Sequence, residues 1–141
     1  MSLEVLYSIS STATGGGRDG HVTSATGRLD LDTRPPTELG GNGQGTNPEE
    51  LFSAGYAACF LGALHAVARG EKEALPADAS VSVTVGFGKT DGGFGITAAI
   101  TAALPGLDQA VAEDLVAKAH QMCPYSNATR GNIDVDLTTE V

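Results

Sequence analysis

Tryptophan is absent, and four Phe and three Tyr are the whole aromatic complement of the 141 residues. A core hung on a few large rings is therefore excluded. With 19 Gly and an equally heavy use of Ala, burial must come from close backbone approach between small residues, and a chain of this length is only moderately efficient at burying surface. A second copy would help. Basic residues are also scarce, 8 Lys and Arg against 17 Asp and Glu for a net charge of −9, which argues against nonspecific binding to nucleic acid or to an anionic membrane. Cysteine is scarcer still. There is no Cys-x-x-Cys pair, and His21, His65 and His120 show no ligand spacing with the cysteines, so no metal is expected. Met1 to Val5 lacks the charged start and long apolar run of a signal peptide, which makes the cytoplasm the expected location. In a reducing compartment Cys59 and Cys123 read as thiols, because a lasting disulfide is uncommon there and a transient catalytic one is the usual exception.

What is present suits one domain over 1–141. Leu3 to Ser10 and Val22 to Leu31 are β-branched, partly alternating segments that read as the strands of a hairpin around Gly15-Gly16-Gly17-Arg18-Asp19-Gly20. Gly40 to Gly45 is a loop. Asn47-Pro48-Glu49-Glu50 is a helix start, with Asn47 as N-cap, Pro48 at the first helical position and two acids at the positive end of the dipole. The helix then runs to about Arg69-Gly70. Almost every residue from Leu51 to Ala68 is apolar or small, which predicts a helix buried on all sides. Eighteen residues reach ~27 Å, enough for a membrane span, but the rest of the chain reads as a soluble acidic domain, and packing against sheets and a second copy of this helix is the expectation.

Val81, Val83, Val85 and Phe87 alternate with polar or small residues, and an Asp91-Gly92 turn leads into a partner strand from Phe94 to Leu104. From Leu107 to Met122, Val111, Leu115 and Ala119 recur every four residues and lead to Cys123, an amphipathic helix that Pro124 stops. Ile133 to Thr139 is a last strand. Segregated strand pairs point to the α+β class.

Position alone leaves the cysteines open. Cys59 falls mid-helix and Cys123 at the end of an apolar stripe, where free Cys is commonly a small core residue. Arg18 likewise reads as the tip of a glycine-rich turn. However, Asn47 to Phe60 (NPEELFSAGYAACF), Cys123 to Asn132 (CPYSNATRGN) and the loop Gly16-Gly17-Arg18-Asp19-Gly20 together resemble the organic hydroperoxide resistance branch of the OsmC-like family, over essentially the whole chain. The resemblance implies the OsmC-like fold, with antiparallel sheets packed around a long buried central helix in an intertwined homodimer. It implies a thiol peroxidase with no bound cofactor, with Cys59 as the peroxidatic cysteine, Cys123 as the resolving cysteine, Arg18 as the activating arginine and Glu49 as its carboxylate partner. It also implies re-reduction by a lipoyl-type dithiol as co-substrate, with a lipoylated protein as its candidate carrier.

The chemistry accounts for such a set. A thiolate must attack one peroxide oxygen, and a Cys of pKa about 8.5 is mostly protonated near neutrality. A guanidinium offsets the desolvation of the thiolate and steadies the departing alkoxide. The resulting sulfenic acid is captured by a second thiol, for which the two α-carbons must approach to roughly 4.4–6.8 Å. Glu50 is positioned to close a capping box. Glu49 and Cys59, ten helical residues apart, lie about 15 Å apart along the axis, so a site shared across a two-fold interface is expected, one chain lending the Arg–Glu pair to the other's thiols. Phe52, Tyr56, Phe60, Leu61 and Met122 are candidate apolar neighbours of Cys59. Individually each reads equally well as core, and collectively they favour an alkyl or fatty-acid hydroperoxide over hydrogen peroxide. His65, His120, Asp19 and Arg130 read as structural. Two alternatives stay open: a broader OsmC-type peroxidase, and a redox sensor or apolar-ligand binder without turnover.

Overall fold

The computed structural model describes residues 2–141. Their contacts cluster in two compact units, one ending at Leu51 and the other spanning Phe52–Val141. In the first, β1 (Ser11–Gly15), β2 (Gly20–Ser24) and β3 (Asp30–Thr33) form an antiparallel sheet in chain order. Two strand expectations are corrected here. Leu3 to Ser10 carries no strand and leaves Leu3, Val5, Leu6, Tyr7 and Ile9 exposed; pairing starts at Ser11, opposite Ser24. Val22 to Leu31 is two strands, because Ser24 and Leu29 close a turn in which the Ser24 N–H donates to the Leu29 carbonyl (2.8 Å) and the Ser24 hydroxyl accepts from the Leu29 N–H (3.0 Å). Gly27 supplies the left-handed φ of 74° inside that turn, and the alternation of side chains simply reads through it.

Among the described residues, no apolar side chain of this first unit is buried; its buried residues are Ser24, Thr33 and Thr46. The sheet is held instead by polar groups. The Thr33 hydroxyl accepts from the Gly20 N–H (2.9 Å) and donates to the Gly17 carbonyl (2.6 Å), and Arg34 donates to the Gly20 carbonyl (2.9 Å). Gly20 has to be glycine, since a Cβ there would lie 2.1 Å from the Thr14 carbonyl oxygen. A one-turn 3-10 helix, Thr37–Leu39, precedes the glycine-rich loop. The long helix α1 (Pro48–Gly70) then begins as its cap residues dictate: Asn47 Oδ1 accepts from the Glu50 N–H (2.8 Å), and the Glu50 carboxylate accepts the Thr46 hydroxyl (2.9 Å).

The second unit holds most of α1, followed by β4 (Ser80–Thr90), β5 (Gly93–Ala103), α2 (Gln109–Met122), α3 (Pro124–Thr129) and β6 (Val135–Glu140). β4 and β5 pair antiparallel through the Asp91-Gly92 turn, with Val83 opposite Ile100. β6 pairs with β5 in parallel, a departure from the all-antiparallel expectation. The cause is the helical crossover: α2 and α3 carry the chain back so that it re-enters the sheet in the same direction. On β5, Ala98, Ile100 and Ala102 alternate inward, and they join Tyr56, Phe60, Leu64, Leu104, Leu115 and Val116 in one apolar cluster. Alanines at two of the three inward β5 positions are what close approach by small residues requires. Each fully buried Leu or Phe here contributes ~1.5–3 kcal/mol.

The structure also revises the picture of α1. By length and composition it could cross a membrane, yet Tyr56, Phe60, Ala63, Leu64, Val67 and Ala68 are buried inside this chain. Ala54, Ala58, Gly62 and His65 are exposed. The single chain thus covers one face of a helix expected to be buried on every side. Asp108 caps α2 by accepting from the N–H groups of Ala110 and Val111, so that helix starts two residues later than its apolar pattern suggests.

Candidate active site

Cys123 stands between two helices. Its φ of −63° and ψ of 124° end α2 and begin α3, and Pro124, which cannot continue the first helix, is well suited to open the second. The Cys123 N–H donates to the Ala119 carbonyl (2.8 Å), and the Cys123 carbonyl accepts from Asn127 (3.0 Å). The fully buried thiol is thereby brought to Cys59 on α1, with 3.5 Å between the two Sγ atoms, both of them free thiols. Burial pushes the Cys59 thiol up from its ordinary pKa, the backbone N–H of Tyr125 works against that rise, and the neighbouring Cys123 thiol adds to it. Left to these neighbours alone, Cys59 is a protonated thiol at neutral pH.

Arg18 and Glu49 form the second pair. From the tip of the β1–β2 turn, Arg18 makes a bidentate contact with Glu49, Nη2 to Oε1 at 2.8 Å and Nη1 to Oε2 at 3.0 Å. The Arg18 hydrogen bond holds the Glu49 carboxyl below the ordinary carboxylate range, and the same bond raises Arg18. The Arg18 side chain is 47% exposed and Glu49 15%, so the fork is tied down from its carboxylate end. The four candidate catalytic side chains thus come as two pairs, each inside one compact unit.

The candidate apolar neighbours separate. Phe52 packs against the rings of Tyr56 and Tyr125, both at 6.0 Å between centroids, and lines a cavity of about 420 Å³ with Ile96, Pro124, Tyr125, Ala128 and Ile133. Tyr56 and Phe60 are fully buried in the core. Met122 is exposed, in a different groove beside Ala66, Val67 and Gly70. Sequence proximity to Cys59 or Cys123 therefore does not put these four on one wall. The helix phase of Tyr56 and Phe60 points them into the core. Gly55 leaves the space that Tyr125 fills: a Cβ there would meet the Tyr125 hydroxyl at 2.8 Å.

One neighbour of the thiols, Tyr125, was not singled out by sequence. Tyr125 supplies both an N–H toward Cys59 and a ring to the cavity. His120, read from the sequence as structural, is half-buried, and its Nδ1 lies 2.8 Å from the Ser126 hydroxyl. No helical wheel finds that contact, because Ser126 lies beyond the break at Pro124. Arg130 donates to the His120 carbonyl (2.6 Å), and Asp19 lies 3.6 Å from Arg34. Among the described residues no cluster of His, Cys, Asp and Glu could hold a metal ion.

Residues 41–138 match the model of the OsmC-like protein family. The chain is 56% identical over 136 residues to an organic hydroperoxide resistance protein of Xanthomonas axonopodis pv. citri, covering 96% of this chain and 95% of that one. Its fold is similar to the crystal structure of an organic hydroperoxide resistance protein from Legionella pneumophila, with a TM-score of 0.92, 49% identity and coverage of 98% of this chain and 100% of the other. A Vibrio cholerae protein described in the same terms, with captopril bound in one of its active sites, is similar at a TM-score of 0.92 and 46% identity, covering 99% of this chain and 95% of that one.

Proposed function

The chain belongs to the organic hydroperoxide resistance branch of the OsmC-like family, and from that premise we propose that it reduces organic hydroperoxides to alcohols through its two cysteines. The observation that carries this reading is the 3.5 Å separation of the Cys59 and Cys123 sulfurs, inside the range of a near-attack pair. The Cys59 thiolate attacks the terminal peroxide oxygen, the O–O bond breaks, and the alkoxide leaves and takes a proton to become the alcohol. Cys59 is now a sulfenic acid. The Cys123 sulfur attacks it, the S–O bond breaks, and hydroxide leaves with the Cys123 proton as water, giving the Cys59–Cys123 disulfide. A dithiol of the lipoyl type, free or on a lipoylated protein, returns both thiols and is itself oxidised to its disulfide.

Because burial pushes the Cys59 thiol up, the first step needs a cation, and Arg18 with Glu49 is the candidate. Ten residues of helix separate Glu49 from Cys59, about 15 Å of rise, so the proposal gives the Arg–Glu pair to a second copy of the chain. A homodimer is supported by three observations: the exposed apolar segment Leu3 to Ile9, the uncovered small-residue face of α1, and a three-stranded sheet with no buried apolar side chain. Such a sheet needs a hydrophobic face or a packed helix to stand. A largely apolar cavity lined by Phe52, Ile96, Tyr125 and Pro124, the residue that follows Cys123 in sequence, suits an alkyl tail, which gains burial energy that hydrogen peroxide cannot.

The test is turnover with dihydrolipoamide, comparing an alkyl hydroperoxide with hydrogen peroxide. Faster consumption of the alkyl hydroperoxide, dependent on Cys59, is expected; a folded protein that binds hydroperoxide without consuming it would be a sensor or carrier. Mixing Cys59→Ser chains with Arg18→Ala chains tests the shared site, since a mixed dimer contains one complete set and should regain part of the lost activity.

A further inference from the structure

A buried polar chain runs beside the thiols. The Tyr56 hydroxyl, one turn before Cys59 on α1, lies 2.8 Å from Ser126 Oγ and 3.2 Å from Thr129 Oγ1, both on α3; Ser126 Oγ lies 2.8 Å from His120 Nδ1 on α2. Tyr56 and Ser126 are fully buried and Thr129 nearly so. Three helices therefore meet at one set of hydroxyls, with Tyr56 three residues before Cys59 and Ser126 three after Cys123.

Counting protons gives the chain a direction. The Thr129 hydroxyl donates to the Ser126 carbonyl (3.1 Å), so toward Tyr56 it can only accept. Tyr56 has one proton and gives it to Thr129, which leaves Tyr56 to accept from Ser126, and Ser126 to accept from His120. Every contact is satisfied only if His120 carries its proton on Nδ1; the reverse order leaves the Tyr56–Thr129 contact without one. Hydrogen bonds running in one direction polarise and strengthen each other.

We infer that this His120–Ser126–Tyr56–Thr129 chain is the positioning device for Cys123, tying α3 to α1 so that the Cys59 sulfenic acid meets a thiol before it meets a second peroxide. The inference rests on the peroxidase reading above. Its physical basis is an asymmetry between the thiols: Cys59 sits inside a helix of 23 residues, whereas Cys123 hangs at the junction of α2 with a helix of only six. A helix that short has no stability of its own. The chain ties it down. Disulfide formation brings the sulfurs from 3.5 Å to about 2.05 Å, and a slip of about 1 Å in such an approach costs about a hundredfold in rate.

The experiment follows both steps after mixing reduced protein with cumene hydroperoxide, reading loss of the Cys59 thiol and formation of the disulfide by rapid quench and mass spectrometry. In Ser126→Ala, disulfide formation should fall at least about tenfold further than Cys59 oxidation does, and sulfinic acid on Cys59 should accumulate under excess peroxide. His120→Leu should behave likewise, while His120→Asn, whose amide places an N–H near the Nδ1 position, should restore the partition. That rescue is a result loss of general stability would not give. If Ser126→Ala fails to fold, the two substitutions at the half-buried His120 decide alone. The inference is overturned if folded variants partition between disulfide and sulfinic acid as the unaltered protein does. Should the unaltered protein form no disulfide with the hydroperoxide, the peroxidase reading falls and takes this one with it; should it cycle while the variants cycle equally, only this one falls.

Discussion

The two compact units solve opposite problems. The first holds a charge pair, Arg18 on a strand turn and Glu49 in the first turn of α1, and its buried residues are Ser24, Thr33 and Thr46; the second holds two thiols in a core of Tyr56, Phe60, Leu64, Ile100 and Leu115. In the first, polar side chains fasten a turn and leave the guanidinium half exposed. In the second, packing brings two sulfurs to 3.5 Å, and the same burial pushes the Cys59 thiol up from its ordinary pKa. The contrast shows that positioning a thiol and ionising it make incompatible demands on one environment. A dry, close-packed pocket gives geometry and opposes charge; in the proposed reading the charge comes from Arg18, held by a structure built differently.

The comparison breaks most completely at the thiols. Cys59→Ser should lower consumption of an alkyl hydroperoxide at least ~10³-fold, measured with dihydrolipoamide in excess. Cys123→Ser should leave one oxidation per chain and then stall, with Cys59 accumulating as sulfenic and sulfinic acid in the intact mass. Equal losses at the start of the reaction in both variants would mean that the two cysteines do not divide the work.

The next effect tests whether the charged unit serves the neutral one. Arg18→Ala should slow the reaction of Cys59 by ~10–10²-fold near pH 7, one to two pK units of lost thiolate stabilisation. The sign is fixed: thiolate appears as pH rises through the thiol pKa, so the inflection in a pH profile of iodoacetamide alkylation should lie higher in Arg18→Ala than in the unaltered protein. Arg18→Lys should fall between them, since it keeps the charge and loses the fork. Coincident profiles would sever the two units' functions.

Much of this was legible in the sequence because it is local. The β4–β5 hairpin follows from Val81, Val83 and Val85 and an Asp-Gly turn, and the start of α1 from Asn47 and Pro48. The break at Ala25 to Leu29 was not, since the apolar alternation continues across it and the closure depends on Ser24 reaching Leu29. α3 was hidden by Pro124, which reads as a stop although the same ring opens the following helix. The direction of β6 is decided by the path of α2 and α3, which no strand pattern encodes. At the site, a separation of 64 positions between Cys59 and Cys123 carries no information about proximity; the motifs marked the residues and the helices bring the sulfurs together. His120 was missed because its partner belongs to another helix.

Glu49→Gln probes the charged unit more gently. Its carboxyl is held low by Arg18, so the pair's contribution is present above the unfolded carboxylate range, about pH 4.3, and is lost as pH falls through the lower, folded value. With Arg18 half exposed, the stability at stake at pH 7 is at most ~1 kcal/mol. Urea midpoints of the two proteins should differ slightly at pH 7 and converge toward pH 3.

The last effects, without consequence for the chemistry, come from two glycines on α1 and bear on packing alone. Replacing an exposed helical Gly by Ala gains ~1 kcal/mol. At Gly62, where no atom lies within 4 Å of the added Cβ, that gain should appear in full if the chain stands alone. At Gly55 the Cβ meets the Tyr125 hydroxyl at 2.8 Å and its ring at 3.3 Å, so Tyr125, which is 39% exposed, must turn outward and give back most of the gain. A larger urea midpoint for Gly62→Ala than for Gly55→Ala is therefore expected at low protein concentration. If a second copy packs on the exposed face of α1, the order should narrow or reverse as concentration rises, because the same Cβ then stands between two helices; a concentration-independent difference would count against that face as the dimer contact.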